Sequence, residues 1–231
     1  SVAEQYLFQA ANAERVQRGL RPLRWDGALS HAAALHAREM ADRESISHQY
    51  PGEQDLADRA QSAGAQFSVV AENVAEAPNA VTIHTAWMHS PDHRANLLDD
   101  RVDRIGIGVL VRDGEVYAVE DFDRGVAALS FEEQENAIAT LLSPSSNLQV
   151  QVQVQVADEA ARRTCAMNSG FAGDRRPWFV MRFTTGELDV LPDQLKARLA
   201  SGKFHTASIG ACAARGTGPF TSYNIAVLLF P

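Results

Sequence analysis

Apolar positions recur every three to four residues through the first part of the chain, and every second residue from Arg104 onward. The first period predicts helices with one buried face, the second a half-buried strand. Leu7 to Arg18 carries the helical period and ends at Gly19 and Pro22. A second helix opens at Asp26 or Gly27, with Leu29, Ala33, His36 and Met40 on one face. A short third helix spans Leu56–Ala63 and stops at Gly64. Asn79 caps a fourth, in which Val81, Thr85 and Met88 form a stripe with Ile83 and Trp87 beside it. Ser90-Pro91-Asp92-His93 opens another helix, because Ser suits the cap, Pro the first helical position and Asp92 the positive end of the dipole.

From Arg104 the period is two. Ile105, Ile107, Val109 and Val111 share one face, while Gly106 and Gly108 mark the other as a place of close approach. Asp113-Gly114 predicts a hairpin whose return strand is Val116–Phe122. Ser130-Phe131-Glu132-Glu133 is a capping box for a helix to about Leu142. Gln and Val then alternate from Gln149 to Val156, which predicts an antiparallel strand with Val inward. Three further strands are expected at Trp178–Thr184, Phe204–Ala213 and Tyr223–Phe230, with one helix at Leu191–Ala200. No longer internal repeat is evident, and the second half offers no catalytic motif.

Composition adds a seam. The 231 residues are 45% apolar and 22% charged, which suits a folded chain with a sizeable core. No apolar run reaches the ~20 residues of a membrane span. The net charge of −8 falls wholly on residues 1–125, and six of seven histidines lie there too. Both cysteines lie beyond. This predicts two modules: 1–125, then a helix and linker over 126–146 that includes Ser143-Pro144-Ser145-Ser146, then a small α+β module over 147–231. Acidity argues against nucleic acid as a partner. Cys165 and Cys212, 47 positions apart, are either one disulfide or two buried thiols. The chain begins at Ser1 without a leader, as after removal of a signal peptide or trimming of the start.

P-loop, GxGxxG, HExxH and GxSxG patterns are absent. The candidate chemistry is carried by His48 in a polar loop, Glu72-Asn73 in an apolar stretch, and His93 in a first helical turn. His36 is expected in the core; His31, His84 and His89 are expected to face solvent. The Arg175-Arg176-Pro177-Trp178 loop is expected to be a solvated turn with one buried ring.

Several stretches together resemble the bacterial branch of the CAP superfamily (cysteine-rich secretory, antigen 5 and pathogenesis-related 1 proteins; SCP-like). They are Asn12-Ala13-Glu14-Arg15, Gly19-Leu20, Trp25-Asp26, His36, Met40, Ser47-His48, Arg59, Glu72-Asn73, Trp87 through Leu98, Ile105 through Val109, and Asp121-Phe122. The resemblance covers residues 1–125 and implies an α-β-α sandwich, with the second, smaller α+β domain outside it. It places His48, Glu72 and His93 in a central cleft, with the histidines as ligands of a divalent metal, most often zinc. Two departures stand out. Ser90 occupies the place of a second cleft Glu in animal and plant members, and as a helix cap its hydroxyl is expected to be engaged. Ala71 replaces the usual Gly before Glu-Asn.

The resemblance implies a secreted or cell-envelope protein that binds an extracellular ligand: cell-wall material, lipid or peptide. The alternatives are a zinc-dependent hydrolase with Glu72 as general base, and a structural or adhesion protein with a vestigial cleft.

Overall fold

The computed structural model describes residues 1–142, 152–213 and 218–231. These divide into two compact units: Ser1–Gly125 with Gly218–Phe220, and Val126–Thr217 with Thr221–Pro231. The Ser143–Ser146 breaker and the start of the Gln/Val alternation lie outside the described residues.

In the first unit, α1 (Val2–Gln17), β1 (Arg24–Trp25), α2 (Gly27–Asp42) and α3 (Leu56–Ser62) lead into β2 (Phe67–Ala77). Then come α4 (Ala80–His89), α5 (Pro91–Leu97) and the hairpin of β3 (Arg104–Arg112) and β4 (Glu115–Gly125). The sheet order is β1-β3-β4-β2, with β1 parallel to β3 and the other pairs antiparallel. One face packs Ile105, Ile107, Ala118 and Phe122 against Leu7 of α1, Ile83 and Trp87 of α4, and Leu97 of α5. The other packs Val74, Tyr117 and Val119 against Ala33, Ala37 and Met40 of α2. This is the α-β-α sandwich.

The glycines on β3 permit the second interface. A Cβ on Gly106 would stand 2.2 Å from the Ser30 nitrogen, and one on Gly108 2.2 Å from that of Ala34. Helix α2 therefore rests on bare backbone. Asn12 and Arg15 hold α1 in place. Asn12 exchanges hydrogen bonds with the Leu23 backbone, and the buried Arg15 guanidinium donates to the carbonyls of Leu97 and Asp99.

Two helical details differ from the sequence expectation. In α4 the buried face is Ile83, His84 and Trp87, whereas Val81 is exposed. Ring size decides this: Trp87 fills the core and donates to the Val74 carbonyl at 3.1 Å, which turns Val81 outward. His84 is thus buried rather than solvent-facing, and burial pushes its pKa down. The alternation also missed β2. Its residues 71, 75 and 77 face one core and residue 74 the other, and the run Val69-Val70-Ala71 followed by Glu72-Asn73 breaks the alternation.

The second unit comprises α6 (Phe131–Leu142), β5 (Gln153–Gln155), α7 (Glu159–Cys165), β6 (Phe179–Thr185), α8 (Asp193–Leu199), β7 (Thr206–Cys212) and β8 (Tyr223–Phe230). Its core joins Ile138 and Leu142 of α6 to Leu195 and Leu199 of α8 and to the sheet, so α6 is part of this unit. The expected Gln/Val strand appears as β5, paired parallel to β7 instead of antiparallel. Helix α7, capped by Asp158, was not expected from the sequence. In the Arg175–Trp178 loop Pro177 is buried and the Trp178 ring is exposed, while Arg175 lies over the Phe230 ring at 4.1 Å. Cys165 and Cys212 form a disulfide with Cα atoms 5.8 Å apart.

The two units repeat one topology. The second sheet runs β5-β7-β8-β6, again with one parallel pair followed by two antiparallel pairs. Helix α7 covers one face as α2 does; α6 and α8 cover the other as α1 and α4 do. Asp26 caps α2 by accepting from Ala28 and Leu29, and Asp158 caps α7 by accepting from Ala160 and Ala161. A Cβ on Gly210 would stand 2.1 Å from the Ala161 carbonyl carbon, as one on Gly106 would meet Leu29. The cross-sheet row Gly106–Asp121–Glu72 thus corresponds to Gly210–Ala226–Arg182.

Candidate functional site

The structure brings Glu72 to the middle of edge strand β2, on the face that carries α2. Its carboxylate is buried and has two committed partners. Oε1 meets His48 Nδ1 at 2.8 Å, and Oε2 accepts from the buried Arg59 guanidinium. Arg59 comes from α3 and also donates to the carbonyls of His48 and Gln54 at 3.1 Å, so one side chain fixes both the loop and the acid. His48 is 61% exposed in its side chain. With Nδ1 turned to Glu72, its Nε2 is the ring atom left for a ligand or ion.

His93 enters from α5, whose position is set by two asparagines. Asn73 donates to the His93 carbonyl at 3.0 Å, and Asn96 donates to the Glu72 carbonyl and to Asn73 Oδ1, both at 3.1 Å. The Glu-Asn pair thus has a divided role: Glu72 orients His48, and Asn73 positions the His93 turn. The hydrogen bond from Glu72 raises the His48 pKa; burial, and then the charge of His48, lower that of His93. The two rings are therefore shifted in opposite directions, and His93 is the first to become neutral as pH rises.

Ser90 caps α5 through its backbone, but its side chain makes no capping hydrogen bond. The expected engagement of that hydroxyl is corrected: it accepts from none of the first-turn N–H groups of α5.

His36 occupies the core as expected, between Glu53 Oε1 at 2.6 Å and the Ser47 carbonyl at 2.8 Å. It lies 4.0 Å from Glu72 Oε2 and braces the network from behind. His31 and His89 are exposed.

Sequence reasoning missed the acids beneath the site. Glu120 and Asp121 on β4 are wholly buried, paired in register with Asn73 and Glu72. Burial pushes Glu120 up to about 8. Burial, and then the charge of Glu72, push Asp121 well above the usual carboxylate range. A Glu-Asp pair inside an otherwise apolar strand was the available signal.

Among the described residues no group of three or more His, Cys, Asp or Glu side chains is placed to hold a metal ion. The donor set is two imidazoles, fewer than the three protein ligands of a catalytic zinc site.

Residues 8–122 match the model described as the cysteine-rich secretory protein family, CAP. The first unit of this chain is a CAP domain and belongs to that family. YkwD of Bacillus subtilis is 32% identical over 118 residues, which is 51% of this chain and 46% of YkwD. Among solved structures, a Bacillus anthracis extracellular protein with an SCP domain is 30% identical, with TM-score 0.49, covering 53% of this chain and 40% of that one. An outer surface protein of Borrelia burgdorferi is 21% identical, with TM-score 0.51, covering 54% and 94%. This chain therefore spans about half the length of YkwD. No helix among the described residues is long and apolar enough to cross a membrane.

Proposed function

We propose that the first unit is an extracellular ligand-binding module whose cleft is formed by His48, Glu72, Ser90 and His93. His48 and His93 hold a divalent cation, most suitably zinc, and the ligand completes its coordination. The observation that supports this is the pairing of His48 Nδ1 with Glu72 Oε1 at 2.8 Å. A carboxylate on the far nitrogen of an imidazole fixes the tautomer and increases the basicity of the ligating nitrogen. Two protein ligands leave positions open to water or to a carbonyl, carboxylate or hydroxyl of the ligand.

The same contacts count against Glu72 as a general base. Its oxygens are committed to Arg59 and His48, and a base must reach a water. The proposed role is therefore binding and not zinc-dependent hydrolysis. Extracellular placement draws on the printed descriptions of the Bacillus anthracis and Borrelia proteins. The ligand class (cell-wall material, lipid or peptide) follows the family resemblance.

The test is zinc titration by calorimetry on wild type, His48→Ala and His93→Ala. One zinc per chain, lost in both variants, is the expected result; equal affinity in all three would overturn the reading. Zinc-dependent turnover abolished by Glu72→Gln would instead establish the hydrolase.

A further inference from the structure

The two sheets end differently. In the first unit the long edge strand is β2, which is bulged between Phe67 and Val69. Helix side chains take its carbonyls: Asn96 of α5 donates to Glu72, and Trp87 of α4 donates to Val74. In the second unit the corresponding edge is β6. Among the described residues the chain runs from β6 into α8 and then β7, with no helix in the place of α5.

Strand β6 pairs with β8 through all seven of its residues, Phe179–Thr185, without a bulge. It contains neither proline nor lysine, two of the residues that commonly protect an edge from further pairing. Its one charged residue, Arg182, is turned along the α7 face, where it donates to the carbonyls of Thr164 and Gly170. In an antiparallel ladder alternate residues direct both backbone groups away from the partner strand. The outer side of β6 is therefore a regular template for one more strand.

The charges at its ends select that strand. Exposed Arg175 and Arg176 precede β6, with Asp174 one residue further out, and Glu187 and Asp189 follow it. An antiparallel strand with the same two ends sets basic against acidic at both, and β6 of another copy is such a strand. Parallel pairing would set like against like. Register is selected by the same rule. Arg182 opposite Arg182 of the second copy would bring like charges together on the axis. With Met181 on the axis instead, Arg182 faces Val180 and Arg175 comes beside Glu187 of the second copy. Phe179 then faces Phe183, and both side chains lie on the face that packs against α8, so ring meets ring. The exposed Trp178 faces Thr184, the exposed residue of the strand.

We propose that β6 pairs antiparallel with β6 of a second copy of this chain, joining two four-stranded sheets across a two-fold axis. The axis is normal to the sheets, so α7 stays on one face and α8 on the other. A seven-residue strand pair is smaller than a standard interface, which makes this a concentration-dependent dimer. Its end charges make it salt-sensitive.

Sedimentation equilibrium of the full chain tests this, with chelator present so that no metal bridges two copies. A monomer–dimer equilibrium that weakens with salt is expected. Arg176→Glu and Glu187→Arg, both outside the strand, should each weaken it about tenfold or more, because like charges then meet at the ends. The two changes in one chain should restore it. Hydrogen exchange read by mass spectrometry should slow in the 178–186 peptide as concentration rises, in the wild type and in the double variant. A monomer at every concentration up to millimolar would overturn the proposal. So would single variants that dimerise like the wild type, a double variant no better than the singles, or protection gained only outside 178–186.

Discussion

Glu72 on β2 and Asp121 on β4 are register partners across the sheet, and both carboxyl groups are buried. Only one of them has a cation. Arg59 and His48 keep Glu72 as the charged member, and burial beside that charge holds the Asp121 proton on. The cleft acid therefore rests on a neutral one, with Glu120 alongside it in the same state at neutral pH.

These buried acids make stability fall with pH. Glu120 titrates near 8 when folded and near 4.5 when unfolded. Its contribution is complete below about 4.5 and is lost as pH rises through about 8, at no more than about 1.4 kcal/mol per pH unit. Urea midpoints of the wild type should decline between pH 5 and 8. Glu120→Gln should flatten that decline; an unchanged slope would show that Glu120 is not its source.

Glu72→Gln should separate two roles of one side chain. Losing the Glu72 charge strands the buried Arg59, at a cost of about 3 kcal/mol. It also removes the main influence raising His48, so the His48 midpoint in an NMR titration should fall toward 6.5. A stable variant with an unmoved His48 would contradict both contacts.

Gly106→Ala should destabilise the first unit by about 3 kcal/mol, because the new methyl would meet helix backbone that cannot rotate away. The same substitution at Gly19, whose Cβ would meet nothing within 4 Å, carries only its backbone strain. Thermal melts of the two variants test the difference.

The disulfide should support the second unit alone. Cys165 and Cys212 stand where Ala33 meets Gly108 in the first unit, so a bridge replaces a close backbone contact. Closing a 47-residue separation is worth about 4 kcal/mol in the chain-entropy model. In calorimetry, reductant should lower one transition and leave the first unit's in place; a shift of both would refute the assignment.

Much of the fold was legible because caps and periods are local. Asp26, Asn79 and the Ser130 box act within a few residues of themselves, and the Asp113-Gly114 turn sets its own hairpin. The elements that escaped lack local signals. Strand β2 is covered on both faces, α7 has the Asp158 cap but no Gly or Pro directly after it to mark its end, and β1 is two residues long. The site was partly legible for the same reason. His48, Glu72 and His93 could be singled out by resemblance, but the Arg59 clamp on Glu72 depends on α3 meeting β2.

By itself, then, the sequence determined most of the helices, the hairpin and the acidic first module, and its family resemblance singled out His48, Glu72 and His93. The tertiary structure decided which carboxyl is charged, how His48 is turned, and that the neutral half repeats the first unit's topology. Charge state depends on burial and partners brought from distant segments. A repeated topology rests on strand pairing and on glycine contacts such as Gly106 and Gly210, which very different side chains can satisfy equally.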